Sequence, residues 1–174
     1  TQGVISILAE EDQGYNVLED ELTRARLVID ALLGTGSARP LTGVFREVVL
    51  RVQQEHSRTP SIQVLSVDLP TGVNADTGET DPVALKADIT VALGYAKVGH
   101  IRFPGAEKIG KLKVVDIGIP PGLVKDVDME IISRRWVKRN LPNRDLGAHK
   151  GTFGHLLVVA GSKNYIGAAY LACQ

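Results

Sequence analysis

Short runs rich in Val, Ile and Leu recur along the chain, at residues 4–8, 27–33, 62–67, 89–93, 112–115 and 156–160. They are nearly continuous rather than alternating, the pattern of strands covered on both faces, and this predicts a parallel sheet. Between them, residues 17–25 and 42–56 carry helical spacing; in the second, Val44, Val48 and Val52 stand four apart and share a face. Strand alternating with helix predicts right-handed crossovers and a layered, Rossmann-like α/β fold. After Leu85 the pattern changes to strands joined by Gly and Pro turns with no evident helix, so this edge of the sheet is expected to be built differently. Residues 133–139 predict a short basic helix, "LPNRDLGAHKG" reads as linker, and "HLLVVAGSKNYIGAAYLAC" restarts with strand, glycine loop and helix. The expected organisation is a first domain over 1–132, a linker over 133–147 and the opening of a second α/β domain over 148–174.

Composition narrows the partners. The 174 residues are 44% hydrophobic, enough for a core, and 20 Lys plus Arg balance 20 Asp plus Glu. No overall field favours nucleic acid or an anionic membrane, so neither is expected as a partner. The single cysteine, Cys173, excludes an internal disulfide and offers no redox pair or metal cluster. No apolar run approaches the roughly 20 residues of a membrane helix, and no signal-peptide pattern opens the chain, so a cytoplasmic location is expected. The start at Thr1 and the stop inside the apolar run "YIGAAYLACQ" predict an excerpt of a longer protein, its sheet lacking amino-terminal strands.

Two strands end in a carboxylate. "LVIDALLGTGSARPLTG" reaches Asp30 and "VLSVDLPTGVNADTGE" reaches Asp68, each followed by residues that stop regular structure. Ligands of open parallel sheets lie beyond the carboxyl ends of the strands, so both aspartates are expected on one functional edge. Either one alone could equally serve its own turn amides. Together with Thr71 and strand-end carbonyls they form an all-oxygen set, which suits a hard cation rather than zinc. In "GTGSARP", Gly34 and Gly36 let the backbone approach a phosphate and Arg39 offers a fork of donors. The loop lacks the Lys-Ser/Thr pair of a P-loop and the third glycine of the dinucleotide fingerprint; a plain tight turn with a solvated arginine fits it as well. His56, His100, His149 and His155 are scattered without ligand spacing and read as surface or packing residues. Lys97 faces the site from the next strand end or is solvated, the usual state of a loop lysine.

Taken in order, "VIDALLGTGSARPLTG", "VLSVDLPTGVNADTGE", "KADITVALGYAKVGH" with "PGAEKIGKLKVVDIGIP", and "AHKGTFGHLLVVAGS" with "IGAA" resemble the bifunctional NAD(P)H-hydrate repair enzymes, from about Ala25 onward. The resemblance implies the carboxyl-terminal part of an NAD(P)H-hydrate epimerase domain, then the start of a ribokinase-like, ADP-dependent dehydratase domain. The implied substrate is hydrated NADH or NADPH. The first domain would interconvert the R and S hydrates; the second would dehydrate the S form at the expense of ADP or ATP. The resemblance also implies residue roles. Asp30 and Thr71 become potassium ligands. Gly34, Thr35, Gly36, Ser37, Ala38, Arg39 and Pro40 become the loop that holds the hydrate. Asp68 becomes a substrate contact and the acid/base group, and Ala168 a contact to the S hydrate. A homo-oligomer is left open.

Three departures accompany this. Asn74 stands where many members carry aspartate, a change expected to leave the turn intact. The family's Asn-Asn-Gly-Gly-Asp motif and nearly all of the dehydratase domain are missing from the sequence, so the chain as given is expected to be incomplete for both activities. Rival readings are another α/β phosphometabolite enzyme and a catalytically silent nucleotide-metabolite binding module; retention of Asp30, Asp68 and Thr71 together argues against the second.

Overall fold

The computed structural model of the protein describes residues 3–36, 39–125, 127, 129–143, 145–149 and 151–173. By its internal contacts the chain divides into Thr1–Asp126 and Val127–Gln174.

In the first unit, helix α1 (Asn16–Arg24) leads into strand β1 (Leu27–Asp30), helix α2 (Gly43–Arg58) and strand β2 (Gln63–Val67). Strands β3 (Ile89–Leu93) and β4 (Lys111–Val115) follow without a further α-helix. All neighbouring strands run parallel, in the order β1-β2-β3-β4. The fold is thus the expected α/β layout with a parallel sheet.

One sheet face carries the core. Val64 of β2 is fully buried against Leu22 of α1 and Val49 and Val52 of α2. The helical stripe expected at Val44, Val48 and Val52 is therefore centred one step over, because Val49 points most directly at the sheet. Helix α1 starts where Asp12 accepts hydrogen bonds from the backbone N–H groups of Val17 and Leu18, at 3.1 and 2.9 Å, satisfying two donors the helix cannot. The opposite face is bare at β1, where Leu27 and Ile29 are 49% and 60% exposed. The continuous apolar pattern predicted cover on both faces; the described residues supply it on one.

The β2-to-β3 and β3-to-β4 connections are irregular, as the Gly and Pro punctuation predicted. They pack on each other closely at Gly99, where a Cβ would lie 2.2 Å from the carbonyl oxygen of Asn74, so a side chain there would force the loops apart. Asn74 Oδ1 accepts from the backbone of Asp76 and Thr77 at 2.9 and 3.0 Å, so asparagine forms the turn at this position.

Two expected strands do not form. Residues 4–8 and 156–160 carry no regular secondary structure, with Val4 at 88% and Leu157 at 84% exposure. An apolar run becomes a strand only where a neighbour completes its ladder, and among the described residues neither run has one. Of the expected strand-loop-helix at the chain's end, the second unit therefore contains only the loop and the short helix α4 (Gly167–Ala172). The same unit holds α3 (Arg134–Asn140), where the basic helix was predicted; Ser133 Oγ caps it by accepting from the Trp136 amide at 3.1 Å. No described helix is long and apolar enough to cross a membrane.

Candidate active site

Asp30 ends β1 beside Ser66 of β2, its register partner. The carboxylate is 4% exposed. Its Oδ2 accepts from Ser66 Oγ and from the Thr71 backbone N–H, both at 2.8 Å, and its Oδ1 accepts from Thr71 Oγ1 at 2.6 Å. Thr71 reaches it because the chain turns back after β2 through Pro70 and Gly72. Gly72 has φ +95°, and a Cβ there would meet Ala84 Cα at 2.8 Å, so only glycine lets this turn press against the next segment. Among the described residues no Lys or Arg pairs with Asp30. A buried carboxylate neutralised only by neutral donors, with a hydroxyl against it, is an oxygen donor set that fits a hard monovalent or divalent cation. No cluster of three His, Cys, Asp or Glu side chains occurs among the described residues, so a zinc-type centre has no ligands here.

Asp68 is built differently. It follows β2 with φ +66°, and the Leu69 N–H bonds back to the Val67 carbonyl at 2.9 Å. A positive-φ residue inside such an i to i+2 bond is the rare, strained form of the γ-turn. The strain is held from several sides. Asp68 N–H donates to Val91 O at 2.8 Å, and its Oδ1 accepts from the Leu93 N–H at 3.0 Å. Lys97 Nζ forms an ion pair with the same Oδ1 and also donates to Leu93 O at 2.9 Å. From below, His100 Nε2 donates to the Asp68 carbonyl at 2.6 Å, while its Nδ1 accepts from the Lys97 N–H at 2.8 Å. Because Nδ1 must accept, the proton is on Nε2 and the ring is neutral. Burial pushes the His100 pKa below its ordinary value, and the Lys97 charge adds to this. Asp68 Oδ2 takes no hydrogen bond from the described residues and is not sealed inside the protein. One oxygen is pinned, and the other has no partner among the described residues.

The loop after β1 is exposed, with Thr35 and Gly36 in a turn. Gly34, Gly36, Arg39 and Pro40 line an open depression with Leu32 and Phe45. Ser37 and Ala38 lie outside the described residues. The loop's far end is tied down where the Leu41 N–H donates to Asp81 Oδ2 at 2.8 Å. Ala168 lies exposed on α4 in the second unit.

Asp30 and Thr71 are thus brought into contact, as are Asp68 and Lys97. Asp30 and Asp68 share the carboxyl edge of the sheet but bond to different partners. Sequence reading missed Ser66 and Asp81, left Lys97 undecided and placed His100 only as packing. The one signal for Lys97 and His100 was the distance of "AKVGH" from the end of β3, which puts both on the same edge as Asp68.

Comparison with known proteins is consistent with this geometry. Residues 4–99 match the family described as YjeF-related protein N-terminus. A bifunctional NAD(P)H-hydrate repair enzyme of Thermofilum pendens is 40% identical over 170 residues, 98% of this chain and 31% of the relative. The enzyme of the same name from Moorella thermoacetica is 37% identical over 153 residues, 87% of this chain and 28% of the relative. The chain therefore spans about a third of the length of these curated relatives.

Proposed function

The chain belongs to the family described as YjeF-related protein N-terminus, and from that premise we propose that its first unit carries the proton-transfer part of an NAD(P)H-hydrate epimerase site. The observation that carries the proposal is Asp68, strained, with Oδ1 pinned by Lys97 and Leu93 and Oδ2 open.

The chemistry asks for such a group. Water added across the enamine double bond of a reduced nicotinamide leaves its hydroxyl on the carbon bonded to the ring nitrogen. The nitrogen lone pair can expel that hydroxyl: the C–O bond breaks, a C=N⁺ bond forms, and the oxygen gains a proton and departs as water. Water returning to the other face loses a proton and gives the other epimer. Atoms and charge balance, and neither oxidant nor reductant is needed. Asp68, with the Lys97 ammonium on Oδ1, is the group assigned to give that proton from Oδ2 to the departing oxygen and to take it back from the returning water. Asp30 and Thr71 would hold a potassium ion, which supplies positive charge beside a phosphate-bearing substrate. Gly34 to Pro40, Arg39 among them, would hold the hydrate. The proposal extends to domain limits of 1–132 and 133–147, with residues from 148 opening an ADP- or ATP-dependent dehydratase domain in which Ala168 meets the S hydrate. A cytoplasmic location belongs to the same reading.

The test is to supply the pure R hydrate, with and without potassium, and follow appearance of the S hydrate by chromatography. Asp68→Asn is expected to lose about 10²- to 10⁴-fold in rate while hydrate binding persists in calorimetry. Epimerisation by Asp68→Asn at close to the native rate removes Asp68 from the chemistry.

A further inference from the structure

We infer that His100 is the positioning residue of this site: its neutral ring bridges the Asp68 carbonyl and the Lys97 amide and so holds both members of the proton-transferring pair in register. The inference rests on the function proposed above for Asp68.

Two elements that are far apart in sequence meet at this ring. Asp68 belongs to the end of β2 and Lys97 to the turn after β3, 29 residues away. The Nε2–H of His100 donates to Asp68 O at 2.6 Å, on the carbonyl of the one strained non-glycine residue in this turn, and Nδ1 takes the Lys97 N–H at 2.8 Å. A positive-φ aspartate relaxes unless its surroundings over-determine it. The side-chain contacts to Leu93 N–H and Lys97 fix the carboxylate, but among the described residues the carbonyl accepts only from His100. Without that donor the peptide following Asp68 keeps only the strained Leu69 N–H bond to Val67 O, and relaxation of that turn shifts the carboxylate against Leu93 and Lys97. His100 is 4% exposed and both its ring nitrogens are taken by backbone groups, so it acts through Asp68 and Lys97 rather than on a substrate.

The ring also sets a pH limit. The groups bearing on it are Lys97, which disfavours its protonation, and Asp68, which favours it, with burial the largest influence and unfavourable to the charged form. The folded pKa lies below the unfolded one. The stabilising contribution is therefore complete above about 6.5, the ordinary histidine value, and is lost as pH falls through the depressed folded value. Protonation forces a donor onto Nδ1, facing the Lys97 N–H, and breaks the bridge.

The experiment uses the 174-residue chain labelled with ¹⁵N and ¹³C. Ring nitrogen shifts are expected to report a neutral Nε2–H tautomer at neutral pH. The Leu93 amide and Asp68 carboxyl resonances are expected to move together with the His100 titration at acid pH. In His100→Ala both are expected to shift at neutral pH while the Val64 and Ala92 amides, inside the sheet, stay in place. His100→Gln, which keeps a donor at the Nε2 position, is expected to restore the native Asp68 and Leu93 signals and to abolish their acid transition. In the epimerisation assay, kcat is expected to fall on the order of 10²-fold in His100→Ala with KM little changed, and to recover in His100→Gln. An Nδ1–H tautomer, or native Asp68 and Leu93 signals in a folded His100→Ala chain, overturns the inference. Inactivity of the 174-residue chain alone is already expected; if the full-length protein epimerises nothing, the proposed function falls, and the resonance measurements still decide whether His100 holds Asp68.

Discussion

Asp30→Ala strips a buried acceptor from four donors, the fourth a long 3.4 Å bond from the Leu32 N–H, and the structure says which of them suffers. The Ser66 and Thr71 hydroxyls can rotate toward other acceptors, at a cost of about 1 kcal/mol each, but the Thr71 amide cannot turn and loses about 2 kcal/mol. Removing a buried charge with no ionic partner returns part of this, leaving a net loss of about 3 kcal/mol. Asp30→Asn differs in kind. Its carbonyl oxygen, placed at Oδ2, keeps Ser66 Oγ and the Thr71 N–H; its NH₂, placed at Oδ1, donates to Thr71 Oγ1, which reverses its role. The weak Leu32 N–H bond to Oδ1 and the charge assistance of the others disappear, at about 1 kcal/mol. Urea unfolding followed by far-UV circular dichroism measures both values. Tryptophan fluorescence does not serve, because Trp136 lies in the second unit. The comparison is made in sodium and in potassium buffer. A cation bound only to the folded state adds about 2.7 kcal/mol at a hundred times its Kd, and this increment is expected in the native chain and absent in Asp30→Ala. A cost below about 0.5 kcal/mol for Asp30→Ala, or equal costs for Ala and Asn, refutes the hydrogen-bond account; an unchanged potassium increment in Asp30→Ala refutes the cation site.

Two further outcomes follow from the same contacts. Asp81→Ala frees the Leu41 N–H that ties down the loop after β1, so hydrate binding is expected to weaken about tenfold with kcat nearly unchanged and Leu41 amide exchange accelerated; a kcat loss with normal binding places the clasp elsewhere. Asp68→Gly relieves roughly 1 kcal/mol of left-handed strain while giving up the Leu93 and Lys97 contacts, so stability is expected to stay within about 1 kcal/mol of native while epimerisation is lost, and a fall in stability of several kcal/mol makes Asp68 a structural residue instead.

The regular elements of the first unit were legible because hydrophobic period and length agree there. The run at 89–93 became β3 over the same residues, and the alternation of strand and helix gave a parallel sheet. The run at 27–33 stopped early, at Asp30, because Leu32 and Leu33 leave the sheet to wall the loop that follows. The runs at 4–8 and 156–160 show the limit of periodicity: it reports a segment's preference and says nothing of whether a partner strand is present. The Asp30 and Thr71 contact spans 41 residues and was within reach only because the family resemblance implied both as ligands of one ion. The His100 bridge was not. Asp68 and His100 are 32 residues apart, and only the β2 and β3 pairing brings them together.

The ends of β2 and β3 show how the sequence nevertheless marks the site. Both strands leave the sheet through the same turn: Leu69 N–H bonds to Val67 O around Asp68, and Tyr95 N–H bonds to Leu93 O around Gly94, each at 2.9 Å. The central residues have φ +66° and +73°. Glycine adopts that conformation freely, and at Gly94 it also leaves room for Ile119, whose Cδ1 a Cβ would meet at 2.4 Å. At the neighbouring strand end the same geometry is kept with a residue that disfavours it, at a cost of order 1–3 kcal/mol, and an ion pair, a backbone amide and a buried imidazole hold it there. If the turn alone mattered, glycine would be the more stable choice in both places. The aspartate is explained by its side chain, and since one oxygen is already used by the protein, what remains to explain it is the other.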